Sequence, residues 1–167
     1  MQIPAERLSF AEHARRQSAA MLRFQQSIEL ARGLTDLIAL RASQINGCTF
    51  CLDMHRKDMR AAGESDARIV SVAVWRESPL YAERERAALE LCEAMTLVAD
   101  THVPDAVWER ARASFADDEL AQVLFAIAAI DVNIAMRLQP GHYSLGRSGS
   151  PPLEALSDGC RRALRFS

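Results

Sequence analysis

Residues 43–55 of this 167-residue chain, Ser-Gln-Ile-Asn-Gly-Cys-Thr-Phe-Cys-Leu-Asp-Met-His, constrain its fold more than any other stretch. Asn46-Gly47 is a helix-break signal, because glycine reaches backbone angles that other residues avoid. From Cys48 the chain runs to Ala62 with neither proline nor glycine, then meets Gly63, a natural C-cap. Cys48 and Cys51 therefore open a helix. Positions i, i+3 and i+7 of a helix share a face, so Cys48, Cys51 and His55 project together. Helical i, i+3 pairs lie roughly 5 Å apart, inside the Cα range of a disulfide, so the pair can open and close with little backbone movement. The free N–H groups at a helix start stabilise a thiolate. His55, one turn beyond Cys51, stands where it can take the thiol proton or stabilise the anion. A thiolate beside a second thiol is what peroxide reduction or disulfide exchange requires.

Duller readings compete with this one. Two small cysteines on a buried helix face would also serve as core. Half of a structural zinc site is a second alternative, with Cys92 or His102 as a further ligand, but no second CxxC and no HxxxH accompanies it. A static disulfide is least expected, because the first ten residues lack the apolar core of an export signal. No stretch approaches roughly 18 uncharged apolar residues, so no membrane span is expected, and the cytoplasm is the expected compartment. There a CxxC is more often catalytic or metal-binding than structural. The net charge of −2 supplies no basic excess for nucleic acid.

With 49% hydrophobic but only 6% aromatic residues, and many Ala and Leu, the composition favours helix packing over sheet. An amphipathic helix is expected over 10–31, with Phe10, Ala14, Met21, Phe24 and Ile28 on one face and Arg15, Arg16 and Arg23 away from it. Before it lies a loose arm suited to a subunit contact, and His13 reads as surface. Gly33 should end that helix and Thr35 cap the next, over 36–45, whose stripe is Leu37, Ile38, Leu40 and Ile45. Asp36 then falls in a first turn. There it is either a dipole-friendly acid or, if the helix start folds back onto His55, a functional one. Ser65 should cap a short helix over 67–75, broken by Ser78-Pro79. Ala88, Leu91, Cys92, Met95 and Ala99 give a core stripe over 83–99, which makes Cys92 packing. Pro104 opens a helix to about 113, and Ser114 with Asp117 gives a weak cap signal for the last long helix, over 117–138. Its stripe of Leu120, Leu124, Ile127, Ile134 and Leu138, widened by Val123 and Ile130, suggests burial on two sides, one of them a second subunit. Residues 140–152 read as a Gly/Ser/Pro linker holding His142. Residues 153–165 form a short tail with Cys160 and with Arg161, Arg162 and Arg165 outward. His102 and His142 are expected as polar surface. The expectation is an all-α domain of six or seven helices over 1–139, followed by a linker and tail over 140–167.

The block 36–63, DLIALRASQINGCTFCLDMHRKDMRAAG, resembles the signature of the alkylhydroperoxidase D-like branch of the carboxymuconolactone decarboxylase family. Two later blocks resemble it as well, RERAAL at 84–89 and FADDEL at 115–120, and the likeness spans residues 17–139. The family pattern is an acidic residue, eleven intervening residues, then CxxCxxxH. Cys48, Cys51 and His55 match it, and the acidic position falls on Asp36, where the family typically carries the longer Glu. The family's Asn-Trp-Asn-Arg-like run is not reproduced around Asp131 and Asn133, so no role passes to those two. The resemblance implies an all-α fold with the CxxC at the start of a helix in an antiparallel pair. It also implies a thiol peroxidase in which Cys51 attacks peroxide, Cys48 resolves the sulfenic acid, and His55 with Asp36 relays protons. No metal or organic cofactor is implied. The implied partners are a dithiol reductant, a lipoyl or thioredoxin-like protein, and further copies of the chain in a trimer or hexamer. Alternatives are a decarboxylase or lactone-ring enzyme, against which the intact CxxCxxxH argues, a general disulfide oxidoreductase, and a non-catalytic redox- or zinc-switched assembly protein.

Overall fold

A computed structural model describes residues 8–137, and every regular element among them is helical. The expected linker and tail, with His142 and Cys160, lie outside the described residues. In chain order the helices are α1 (Phe10–His13), α2 (Arg15–Gln26), α3 (Arg32–Ile45), α4 (Thr49–Ala61) and α5 (Asp66–Ser71). A turn of 3-10 helix (Val72–Val74) follows, then α6 (Glu83–Thr96), α7 (Val98–Thr101), α8 (Asp105–Ser114) and α9 (Asp117–Arg137). The all-α expectation holds.

α3 is the central helix, packed against α4, α6 and α9. One of its faces, with Leu34, Ile38 and Ala42, joins a core built with Ala88, Leu91, Val123 and Ile127. The other, with Leu37 and Leu40, joins a second cluster of Met59, Ile69, Val72, Trp75, Tyr81 and Leu89. Each buried Leu, Ile, Val or Met side chain contributes about 1.5–3 kcal/mol. The cysteine-bearing helix is therefore held against a helix buried on two sides.

Several boundaries differ from expectation. The single helix expected over 10–31 is divided at Ala14, whose backbone (φ −138°, ψ 43°) is not helical, and it stops at Gln26. There the Ser27 hydroxyl donates to Phe24 O at 2.7 Å, a side-chain bond that competes with helix continuation. α3 starts at Arg32, so Gly33 lies inside its first turn and Thr35 within the helix, its hydroxyl turned back to Ala31 O at 3.4 Å. Asp36 consequently moves from a first turn into the second. Pro104 is the N-cap of α8, and Ser114 closes α8 by donating to Arg110 O rather than capping α9. Ser65 caps α5 as expected, accepting from the Arg68 N–H at 3.3 Å.

The two later sequence blocks act as staples. Glu85 accepts from the Ala82 N–H at 2.9 Å, capping α6, and its other oxygen bonds Arg68 at 2.8 Å. The Arg86 guanidinium gathers the carbonyls of Trp75, Arg76, Ser78 and Tyr81, closing the loop before α6. Arg84 pairs with Glu119 and lies over the Phe115 ring, tying the first block to the second.

Over Asp117–Met136, α9 is long and apolar enough to cross a bilayer, a length of apolar helix that the sequence reading did not count. Leu120, Val123, Ile127, Ile130 and Ile134 are nevertheless buried in the bundle, as in a central core helix. Its opposite face leaves Phe125 and Val132 exposed, and Phe24 of α2 meets Phe125 edge-on with ring centroids 5.8 Å apart.

Candidate functional site

The link between α3 and α4 is a Schellman turn written by Asn46, Gly47 and Cys48. Gly47 takes φ 64°, its N–H bonds Gln44 O at 3.3 Å, and the Cys48 N–H bonds Ser43 O at 3.0 Å. Cys48 thus ends one helix and caps the next. Its Sγ accepts the Cys51 N–H at 3.3 Å, so the positive end of α4 points at this sulfur. The second Schellman turn, at Gly63 (φ 89°), stops α4, with the Glu64 N–H on Met59 O at 2.9 Å.

Cys48 and Cys51 are joined as a disulfide with Cα atoms 5.3 Å apart, the juxtaposition that the CxxC spacing predicts. Both are buried, at 2% and 1% exposure, in the cluster that α3, α6 and α9 build. His55 follows one turn after Cys51 on α4; the residue is half-buried and its Nε2 is shielded from solvent. The structure thus gathers both cysteines and the histidine on one short helix.

Asp36 sits across from the other end of α4. It lines a pocket of about 310 Å³ with Arg32, Gly33, Met59, Ala62, Gly63 and Glu64, and it pairs with Arg32 at 3.6 Å. Burial holds its carboxyl above the ordinary aspartate value, Arg32 opposes that, and the nearby Asp58 adds to it. Burial raises Asp58 as well, again against Arg32. Asp36 therefore shares this pocket with Met59, which follows His55 by one turn in the sequence of α4, and feels the charge of Asp58. A second pocket of about 310 Å³ flanks the start of α4, lined by the apolar Leu40, Leu52, Ile69 and Val70 and by polar residues that include Thr49 and Arg56.

Two polar groupings escaped the sequence reading. On α6, Glu93 accepts from Trp75 Nε1 and from Arg41 at 2.8 Å and from Arg76 at 2.6 Å, joining α3, α6 and the loop between. Nearer the cysteines, Asn46 donates to Asp131 Oδ1 at 3.2 Å, and the Thr96 hydroxyl lies 3.2–3.3 Å from the same carboxylate. The only sequence signal for the second was a single acid inside the apolar run of α9. Cys92 is fully buried as expected, its Sγ donating to Ile38 O at 3.5 Å, and burial pushes its thiol up to about 12. It is inert packing.

An all-helical bundle that carries a paired CxxC and a histidine at the head of a helix defines the class: a helical protein of the alkylhydroperoxidase D-like kind. Residues 16–94 match the carboxymuconolactone decarboxylase family. Over 139 residues, 79% of this chain, it is 34% identical to the uncharacterized protein YdfG of Bacillus subtilis (strain 168), covering 95% of that protein. It is also 34% identical over 87 residues to the uncharacterized protein YnjA of Escherichia coli (strain K12), covering 47% of that one. A crystal structure of a protein of unknown function from Agrobacterium tumefaciens, proposed as an antioxidant defence protein of the AhpD type, matches with a TM-score of 0.78 and 38% identity. That match covers 85% of this chain and 99% of the other. The chain belongs to the carboxymuconolactone decarboxylase family, in its alkylhydroperoxidase D-like branch.

Proposed function

We propose that the protein is a thiol peroxidase that reduces hydroperoxides through the Cys48–Cys51 couple. The observation that carries this reading is the pair itself: two sulfurs bonded at the head of α4, with a histidine one turn on. In the dithiol, His55 takes the Cys51 proton. The thiolate attacks the terminal oxygen of the hydroperoxide, an S–O bond forms, the O–O bond breaks, and the proton leaves with the alcohol. Cys48 then attacks the Cys51 sulfenic acid, forming the disulfide and releasing water. The Cys51 N–H that Cys48 Sγ accepts favours the thiolate this second step needs. Asp36 supports His55 as relay acid. A dithiol protein, lipoyl or thioredoxin-like, reopens the disulfide with two electrons and two protons. The chain works in the cytoplasm, without metal or organic cofactor, as a homo-oligomer, a trimer or hexamer, that buries the exposed face of α9.

One hydrogen bond favours a second reading. Because the helix N-terminus points at Cys48, that sulfur is also the better entry nucleophile for general disulfide exchange. A single turnover separates the two. Reduced protein with one equivalent of an organic hydroperoxide should yield stoichiometric alcohol and a Cys48–Cys51 disulfide by peptide mass spectrometry. Cys51→Ser should abolish peroxide consumption, a loss of at least about 100-fold on the scale of losing a reacting nucleophile. Untouched thiols beside intact hydroperoxide would remove the peroxidase reading, and normal turnover in Cys51→Ser would reverse the roles.

A further inference from the structure

Asn46 stands one glycine before the CxxC, and its side chain reaches α9. Its amide nitrogen donates to Ala42 O at 3.0 Å, closing α3, and to Asp131 Oδ1 at 3.2 Å on α9, a residue 85 positions away. The Asp131 carboxylate also receives the Thr96 hydroxyl from α6, and Thr96 adjoins the Cys92 sulfur at 3.9 Å. Asp131 is the only acid between 120 and 137. Keeping a half-buried carboxylate in an apolar helix is costly unless it is bonded, and both of these partners are neutral donors. Burial raises its carboxyl, and the Thr96 and Asn46 bonds hold it down. Packing alone explains an apolar side chain at this position, not an acid aimed at the turn before the cysteines.

We propose that Asp131 is a positioning residue for the cysteine pair: by holding Asn46 it fixes the turn that sets Cys48 at the head of α4, and so favours the disulfide over the dithiol. This rests on reading Cys48 and Cys51 as a redox couple. A disulfide closes only within a narrow window of Cα separation, and the turn presents the pair at 5.3 Å. Loosening the turn leaves more chain freedom to be lost on closure. The carboxylate touches neither sulfur and acts only through Asn46.

The test is the thiol–disulfide equilibrium of the full chain in mixtures of reduced and oxidised dithiothreitol, read by alkylation and intact mass. In that exchange the Cys48–Cys51 bond breaks as dithiothreitol closes its own disulfide, and two electrons and two protons pass to the protein thiols. Asn46→Ala and Asp131→Ala should each shift the equilibrium toward the dithiol by about fivefold, the worth of one hydrogen bond. The double variant should shift it no further than the larger single. Asp131→Asn, which keeps a carbonyl oxygen for Asn46, should restore most of the wild-type value. An unchanged equilibrium, shifts that add in the double variant, or no rescue by Asn would each overturn the proposal. If Asp131→Ala does not fold, Asn46→Ala, altered at an exposed residue, carries the test, and an unchanged equilibrium there overturns it. No peroxide is used. A chain that ignores hydroperoxide yet shows the coupled shift keeps the positioning role, and one that reduces hydroperoxide without the shift loses it.

Discussion

Asp36 is where one methylene bears on the proposed proton relay. Its carboxylate pairs with the exposed Arg32 and feels the charge of Asp58, while the related pattern puts the longer Glu here. Lengthening the side chain extends the reach of the acid by one methylene without altering charge. Asp36→Glu should therefore leave the peroxide half-reaction equal or up to about tenfold faster, within the range of general acid–base effects. Stopped-flow loss of thiol after mixing with hydroperoxide measures it. A drop of more than about tenfold would mean that the site is tuned around Asp and Arg32. Among the described residues the remaining cysteine, Cys92, is set apart by its environment: burial raises its thiol to about 12, so it stays protonated at neutral pH.

At the level of elements, α3 and α6 are joined by Glu93, whose partners are Arg41 of α3 and the adjacent Trp75 and Arg76 of the loop before α6. Burial alone pushes the Glu93 carboxyl up. The Trp75 and Arg76 bonds, with the Arg41 charge, more than offset it and leave the group below its ordinary value of 4.5. A lowered folded-state value means that the ionised form stabilises the fold. That contribution is present above about pH 4.5 and is lost as the pH falls through the folded-state value. Glu93→Gln strands two arginines, one of them largely buried, and should cost about 3 kcal/mol, or roughly 10 °C in Tm at neutral pH. Thermal melts between pH 3 and 7 should show the variant losing less stability than wild type on acidification. Parallel profiles would show that Glu93 does not anchor the pair of helices. This staple was not legible in the sequence, since Arg41, Trp75 and Glu93 share neither a motif nor a helical spacing.

At the scale of the whole molecule, α2 buries no residue within the chain, and Phe24, Phe125 and Val132 are 36%, 53% and 45% exposed on the α2–α9 side. A patch of this kind on a long apolar helix is what an interface between copies covers. If the proposed oligomer uses it, Phe125→Glu should lower the sedimenting mass to that of a monomer while leaving the helical circular dichroism unchanged. An oligomer that persists in this variant would move the interface elsewhere.

What the sequence by itself determined is local. Asn46-Gly47 stops α3, Gly63 stops α4, and Ser65 caps α5, because left-handed glycines and short hydroxyl caps act within a few residues. The CxxC spacing brings the two sulfurs together because one helical turn does so wherever it occurs. The start of α3, which has no side-chain cap, was expected at Asp36 and lies at Arg32, and that one-turn difference moved Asp36. Only the tertiary structure decided what meets the site from afar: Asp131 on Asn46, Glu93 on Arg41, and Asp58 beside Asp36. The physical reason is range. Capping and periodicity act over a turn or two, whereas a carboxylate 85 residues away reaches the cysteine turn only once α3, α6 and α9 have packed.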